Sequence, residues 1–226
     1  MTRFSPQLVK AKVYDLIAPA PLLLVYGLGV AALFPQITEK GHQLTTAFDP
    51  VLALAMLSQV TTVLFMGLQA VLFIVRRFPV RKARGVMPRL AALVASNLPM
   101  SLLVLPTVQT TVPVTFASMV LVVGGTMVSI YVAAILGRSF SVLPQARGLV
   151  TWGPYRWIRH PLYLAEQIAL FGFMLQFAQP WSCLIAVACF AAQLPRMHYE
   201  EEVLVTTYPA YRAYMRDTSR LIPGVY

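Results

Sequence analysis

A run of 48 consecutive residues, from Leu90 to Gly137, carries no charged side chain. A helix needs about 20 apolar residues to cross the hydrocarbon core of a bilayer, so this run is too long for one crossing. Proline and polar residues between Pro106 and Pro113 interrupt it. The run therefore predicts two membrane helices that are joined by a short turn.

Three other stretches extend this pattern. Leu16–Phe34 and Val51–Val75 are uncharged, and each is long enough for one crossing. Leu162–Pro195 is apolar apart from Glu166, and Gln179-Pro180 divides it into two short helices. The sequence predicts an all-α integral membrane protein with about six transmembrane helices. The last two would form a tight hairpin, followed by a short C-terminal helix.

The charged residues set the orientation. The chain is 58% hydrophobic and only 12% charged, whereas soluble domains carry about 25% charged residues. The net charge of +10 then indicates basic loops facing cytoplasmic lipid head groups, and no nucleic-acid partner is expected. If the N-terminus is inside, six crossings place 17 of the 18 Lys and Arg residues inside and only Lys40 outside. We predict cytoplasmic termini in a bacterial inner membrane or its equivalent. The inside residues are Arg3, Lys10 and Lys12, six in the range 76–89, four in 138–159 and four in 196–220.

Histidine and cysteine give no metal-binding pattern. His42, His160 and His198 are scattered, and Cys183 and Cys189 lie in an apolar run without a CxxC spacing. We therefore predict no metal site and interpret both cysteines as packing residues. The first four predicted helices carry no charge in mid-span, which argues against an ion or solute pathway.

One segment before the fifth predicted helix concentrates polar chemistry. Between Gly153 and Tyr163 the chain has two arginines, a histidine and three aromatic residues. These residue types are typical of an anchor at the lipid head groups, where Tyr and Trp are enriched. They also suit a binding site that faces the cytoplasm. Composition alone leaves both interpretations open.

A second polar group follows the sixth predicted helix. Arg196 and Glu200 are four residues apart and so share one helix face, which by itself fits a surface ion pair of about 0.2–0.5 kcal/mol. The tail beyond them has tyrosines at three-residue intervals from Tyr208 and predicts a short helix closed by a turn. Glu166, one turn inside the fifth helix, is expected to pair with Arg159 or Arg196.

Together the two segments resemble the isoprenylcysteine carboxyl methyltransferase family and its wider relatives, the phospholipid methyltransferases. The resemblance covers Arg138 to Tyr226, about 40% of the chain. The matching residues are Leu149–Thr151, Gly153–Tyr155 and Arg159–Tyr163, and then Arg196, Glu200, Glu201, Leu204, Tyr211, Tyr214 and Ile222–Gly224.

The resemblance implies a membrane-embedded methyltransferase that uses S-adenosylmethionine in a cytoplasm-facing pocket. It divides the chain into a four-span region, 1–137, and a catalytic region, 138–226. It places Arg196 and Glu200 beside the methyl acceptor as catalytic residues. The positions that it assigns to the cofactor are Gly148, Leu149, Val150, Tyr155, His160, Pro161, Leu162 and Tyr163. The partners implied are the bilayer and a lipophilic acceptor, with no obligate protein partner.

Several alternatives stay open. The chain departs from the family pattern at three places: Ala165 stands where glycine is frequent, Arg147 where histidine is frequent, and Tyr208–Ala210 where a Phe-Gly pair is usual. These departures weaken the inference of a prenylated substrate more than the inference of cofactor binding. The acceptor is a carboxylate, thiol, amine or phospholipid head group, and Glu200 is either a base or an orienting group. Two other functions stay open. The chain could be a sterol or steroid reductase-like protein that uses NADPH, or a non-catalytic membrane interaction protein. All functional inferences require the loop before helix five and the tail after helix six to form one pocket.

Overall fold

The computed structural model describes residues 20–224. Within this range the chain folds into seven α-helices and one antiparallel pair of two-residue strands. Three short 3₁₀ helices, Leu98–Val104, Gly137–Ser139 and Gly153–Arg156, lie among them. The longer elements are α1 (Ala20–Thr46), α2 (Pro50–Val75), β1 (Arg81–Lys82), α3 (Met87–Asn97), α4 (Val112–Leu136), β2 (Gln145–Ala146), α5 (Pro161–Met174), α6 (Trp181–Thr207) and α7 (Tyr211–Asp217).

Six of these helices lie where apolar stretches predict them, and four are long and apolar enough to cross a membrane. These four are α1, α2, α3 with its 3₁₀ extension, and α4 with the 3₁₀ turn after it. The 14 residues of α5 span only about 21 Å, which is less than the hydrocarbon core of about 30 Å. Six crossings and cytoplasmic termini therefore stay predictions. The predicted start at Leu16 and the basic residues Arg3, Lys10 and Lys12 lie outside the described residues.

The first helix is longer than its apolar run. The uncharged stretch ends at Phe34, whereas α1 continues through Pro35 to Thr46. Side chains stabilise this extension: Gln36 donates to the Ala32 carbonyl at 3.1 Å, and Gln59 of α2 donates to Gln36 at 2.9 Å. Hydropathy marks where the apolar surface stops, whereas a helix continues wherever its backbone groups find partners.

The short turn between the last two long helices is confirmed, at residues 175–180 between α5 and α6. The two helices nevertheless pack mainly on other elements, α5 on α4 and α6 on α3. Two glycines allow the close approach of α4 and α5. A Cβ added to Gly125 would lie 2.5 Å from the backbone nitrogen of Ala169, and one added to Gly172 would lie 2.7 Å from the carbonyl oxygen of Ser118.

Loop contacts close both ends of the bundle. At one end β1 pairs with β2, with Arg81 opposite Ala146 and Lys82 opposite Gln145. At the other end Thr107 forms a β-bridge with Phe177. The tail also returns to the loop before α5, where the amides of Arg159 and His160 donate to the carbonyls of Ser219 and Arg220 at 2.9 and 3.0 Å. These contacts fix the loops that surround a cavity.

Candidate active site

A cavity of about 360 Å³ lies between the helices and the loops at the β1–β2 end. Every one of the seven helices contributes to its lining. Nine of the ten predicted site residues line it, namely Gly148, Leu149, Val150, Tyr155, His160, Leu162, Tyr163, Arg196 and Glu200. The tenth, Pro161, is buried in the first turn of α5 and does not face the cavity, because its ring starts the helix.

Tyr163, Arg196 and Glu200 form a contact group in this cavity. The hydroxyl of Tyr163 donates a hydrogen bond to Oε1 of Glu200. The guanidinium carbon of Arg196 lies 4.6 Å from the centre of the Tyr163 ring, which is a cation–π arrangement. Nε of Arg196 lies 3.5 Å from Oε1 of Glu200. The loop before α5 and the end of α6 thus meet in one pocket, as predicted.

The guanidinium of Arg196 is buried but keeps hydrogen-bonding capacity. Its side chain is 8% exposed, and Nη2 donates to the carbonyl of Val142 at 3.2 Å. Nε makes no hydrogen bond to a described residue, since its contact with Glu200 is an ion pair without hydrogen-bond geometry. The positive charge of Arg196 also interacts with the carboxyl group of Glu166, whereas Arg159 donates a hydrogen bond to Glu201. Among the described residues, one donor of Arg196, the buried Nε, is thus left without a hydrogen-bond partner.

Glu201 joins three parts of the chain. Its Oε1 accepts from Nε of Arg159 at 2.8 Å and lies 3.1 Å from Nε2 of His160. Its Oε2 accepts from Nη2 of Arg220 at 2.6 Å. The carboxylate is 4% exposed, so its contacts with Arg159, Arg220 and His160 replace the water that it loses on burial. Glu201 thereby holds α6, the loop before α5 and the tail together.

The electrostatics of Glu201 follow from these contacts. Burial raises the pKa of this carboxyl, but hydrogen bonds from His160, Arg220 and Arg159 outweigh that effect and lower the pKa to about 2. Glu201 is therefore a carboxylate at neutral pH and already has its partners. It suits an architectural role, whereas Glu200 faces the cavity directly.

The segment 153–163 contains both exposed aromatic residues and residues that line the cavity. Trp157 is 60% exposed, and the guanidinium of Arg156 lies 4.6 Å from the centre of its indole, as expected of an interfacial anchor. Tyr155 and His160 are only 7% and 6% exposed, and they face the cavity with Tyr163. The two interpretations of the sequence thus apply to different residues of one segment, and both stay predictions.

The loop wall of the cavity is closely packed. A Cβ on Gly148 would lie 2.4 Å from Oγ of Ser139, so a larger residue would push the loop. Tyr214 of α7 donates a hydrogen bond to the carbonyl of Tyr155. Burial, followed by the charge of Glu200, raises the pKa of Tyr155 well above its usual range. Its hydroxyl consequently remains protonated at neutral pH.

Sequence reasoning missed several polar residues of the helices. Tyr26 of α1 donates a hydrogen bond to Gln69 of α2, and both line the cavity. Gln193 of α6 also lines it, and its Oε1 is buried without a hydrogen-bond partner among the described residues. In the sequence, each of these residues is marked only as a polar side chain within an otherwise apolar helix. A pattern of charged residues does not reveal such positions, because Tyr and Gln side chains are neutral.

Comparison with known proteins gives one family. A model of the phospholipid methyltransferase family matches residues 113–211. No curated protein matches the chain. The match confirms the family resemblance and begins upstream of Arg138, inside α4. It includes Tyr163, Arg196, Glu200 and Glu201.

Proposed function

Because residues 113–211 match the model of the phospholipid methyltransferase family, we propose that this membrane protein transfers a methyl group from S-adenosylmethionine to a lipophilic acceptor. The observation that carries the proposal is the contact group of Tyr163, Arg196 and Glu200 in a cavity shared with the loop at Gly148. The cofactor, the acceptor and the roles of single residues belong to this proposal.

The chemistry of the cavity fits the proposed cofactor. Its volume of about 360 Å³ falls within the range of ligand pockets, about 300–1,000 Å³. S-adenosylmethionine supplies, when bound, a methyl group on a positively charged sulfur. The ring of Tyr155 offers a π face to such a cation, and the side chain of Glu200 offers acceptor oxygens in the same cavity. The ring of Tyr163 is already in contact with Arg196 and His160. Gln193 Oε1 needs a donor, which an adenine amino group provides.

In the proposed mechanism the protein contributes mainly alignment. Methyl transfer is an in-line displacement, and correct orientation of two reactants is worth about 7–11 kcal/mol. The family resemblance assigns the loop 148–150 and the segment from Tyr155 to Tyr163 to the donor. Arg196 and Glu200 would then hold the acceptor opposite the methyl group.

The contacts of Glu200 favour an orienting role. Its Oε1 already accepts from Tyr163 and faces Arg196, so it fixes both side chains. Arg196 suits an acceptor with a carboxylate or phosphate, because its fork donates two parallel hydrogen bonds. A carboxylate acceptor needs no base, since it is ionised at pH 7. An amine or thiol acceptor would instead require Glu200 to accept a proton.

The direct test uses labelled S-adenosylmethionine. The purified protein in detergent is incubated with the methyl-labelled compound and a membrane lipid extract, and the labelled product is identified by mass spectrometry. We expect label in the lipid fraction with the wild-type chain and background label with Arg196→Ala. Thermal melting with NADPH serves as the counter-test. Protection by NADPH, together with no label transfer, would support the reductase alternative and contradict the proposal.

A further inference from the structure

Glu166 is the only acidic residue of α5, and the proposed mechanism gives it no role. It follows Tyr163 by three residues, so the two side chains share one face of the helix, and both line the cavity. The other side chains of α5 carry no charge. An ionisable residue in an otherwise apolar helix of a membrane protein is costly to bury and commonly marks a functional site.

The carboxyl group of Glu166 has no bonded partner within residues 20–224. It makes no hydrogen bond and no ion pair to a group of this range, although the charges of Arg196 and Glu200 interact with it at longer range. A carboxyl group that has left bulk water needs hydrogen bonds to replace those that it loses. A ligand that carries a hydrogen-bond donor would satisfy this group.

The other two carboxylates in this region already have partners. Glu201 is bonded to the loop before α5 and to the tail, and it does not line the cavity. Oε1 of Glu200 accepts from the hydroxyl of Tyr163 and lies 3.5 Å from Nε of Arg196. A proton on Glu200 would weaken both contacts, whereas a proton on Glu166 breaks no contact to a described residue.

Glu166 interacts with the residues that are assigned to the methyl acceptor. The charge of Arg196 interacts with both Glu200 and Glu166, so one guanidinium serves two carboxyl groups. Arg159, the other arginine of the described lining, is bonded to Glu201. A carboxylate on the acceptor would bring a third acidic group to Arg196, whereas a neutral or cationic nucleophile adds no such repulsion.

We propose that Glu166 is the general base of methyl transfer, and that the nucleophilic atom of the acceptor arrives protonated, as in an amine or a thiol. The inference rests on the proposed function and sharpens it at one point. For such an acceptor the proton goes to Glu166, whereas Glu200 keeps its contacts. A general base must reach the proton that it removes, and Glu166 lines the same cavity as Arg196 and Glu200.

The proton and electron count balances for an amine. The ammonium group donates a hydrogen bond to the carboxylate of Glu166 and then gives it one proton. The freed lone pair of nitrogen forms the bond to the methyl carbon, while the bond between that carbon and sulfur breaks and its electron pair stays on sulfur. The products are the N-methylated ammonium lipid, S-adenosylhomocysteine and a protonated Glu166, which returns its proton to water after release.

The pH dependence of the rate should report Glu166. A carboxylate base must be ionised, so the wild-type rate falls as acid protonates it. Without the base, the rate instead rises with pH as the amine loses its proton to water. Helix α4, which packs on α5, carries no charged residue. Arg159 and His160 also line the cavity, but they contact Glu201. The ionisable groups whose charges interact with Glu166 are Tyr26 of α1, Tyr155, Tyr163, Arg196 and Glu200.

The test follows methyl-labelled S-adenosylmethionine with the full chain in detergent. Hexadecylamine, hexadecanethiol and palmitate share one chain length and differ in the nucleophile. We expect transfer to the amine or the thiol in preference to palmitate. Label in a membrane lipid extract should also resist base, because base cleaves methyl esters and leaves N-methyl and S-methyl groups intact.

Glu166→Gln removes the base and keeps the size of the side chain. It should lower kcat for the preferred probe about a hundredfold or more and leave the affinity for S-adenosylhomocysteine unchanged. Calorimetry with S-adenosylhomocysteine present should show hexadecylamine binding about tenfold more weakly, because a hydrogen bond to a charged group is lost. Glu166→Asp keeps the carboxyl group and should recover part of the rate, with the fall in acid.

Glu202→Gln is the matched control. It makes the same chemical change at an exposed position of α6 that does not line the cavity, and it should keep wild-type kinetics. Equal kcat values of Glu166→Gln and Glu202→Gln would overturn the proposal, as would equal affinities of the two variants for hexadecylamine.

The remaining outcomes separate this inference from the proposed function. Base-labile label in the lipid product, or preferred transfer to palmitate, would contradict the base role while methyl transfer stands. An equal loss of rate with palmitate would make Glu166 a positioning residue, and a loss of S-adenosylhomocysteine binding in Glu166→Gln would assign it to the cofactor. A wild-type chain that binds no S-adenosylhomocysteine would contradict the proposed function and this inference together.

Discussion

The hydroxyl of Tyr163, at the start of α5, donates a hydrogen bond to Oε1 of Glu200, near the end of α6. The two residues are 37 positions apart in the sequence. Their contact joins the segment assigned to the cofactor to the pair assigned to the acceptor. In the proposed mechanism this contact helps to align donor and acceptor, together with the contacts of Glu201 with Arg159 and His160.

We predict that Tyr163→Phe lowers kcat by about tenfold to a hundredfold. The ring that lies under Arg196 remains, but Glu200 loses a hydrogen bond to a charged group, worth about 1.5–3 kcal/mol. Methyl transfer and binding of S-adenosylhomocysteine are measured together, and affinity should change little. Tyr199→Phe is the matched control, because Tyr199 precedes Glu200 and does not line the cavity. Equal kinetics of the two variants would remove the hydroxyl from the mechanism.

Arg196→Ala and Glu200→Gln are expected to retain cofactor binding and to lose turnover. Both changes remove interactions with the acceptor, whereas the loop 148–150 and His160 remain in place. Calorimetry with S-adenosylhomocysteine gives the affinity, and label transfer to lipid gives the turnover. Full turnover in either variant would show that the substituted residue has no catalytic role.

Two neighbouring glycines of α4 should respond in opposite ways to alanine. A Cβ at Gly124 meets nothing within 4 Å, so Gly124→Ala is neutral or stabilising by up to about 1 kcal/mol. A Cβ at Gly125 meets the backbone of Ala169, so Gly125→Ala destabilises by about 1–3 kcal/mol. Thermal melting in detergent measures both. Equal melting temperatures would mean that α4 and α5 are not in the contact described.

The acid sensitivity of the fold should depend on Glu201. Its pKa is about 2 in the folded chain and 4.5 ordinarily, so its stabilisation is complete above pH 4.5 and is lost as the pH falls towards 2. Between pH 6 and pH 3 the loss is about 2 kcal/mol. We expect Glu201→Gln to melt at a lower temperature at pH 6 and to lose less stability on acidification. Parallel melting curves of the two proteins over this range would contradict the role of Glu201.

The sequence predicts much of this architecture because membrane helices obey a simple rule. Uncharged stretches identify six helix positions, and the four-residue spacing of Arg196 and Glu200 puts them on one face. Hydropathy misjudges the end of α1, since it does not register backbone and side-chain hydrogen bonds beyond Phe34. It also does not reveal that α5 packs on α4 through Gly125 and Gly172.

The candidate site is predictable where it coincides with a motif. Nine of ten predicted residues line one cavity, whereas Pro161 does not, because its place in the motif serves the helix start. Glu201 lies in the tail that resembles the family, but the sequence alone does not distinguish its role from that of Glu200. Only the fold shows which carboxylate meets Arg220 and which meets Tyr163. Tyr26 and Gln69 lie outside every motif, and only the packing of α1 on α2 brings them to the cavity.

The central claim is that the cavity between the loop before α5 and the end of α6 binds S-adenosylmethionine. Calorimetric titration of S-adenosylhomocysteine into the wild type, His160→Ala, Tyr163→Ala and Trp157→Ala tests it most directly. We expect binding by the wild type and by Trp157→Ala, whose side chain is exposed, and none by the two cavity variants. Unchanged affinity in both His160→Ala and Tyr163→Ala would contradict it.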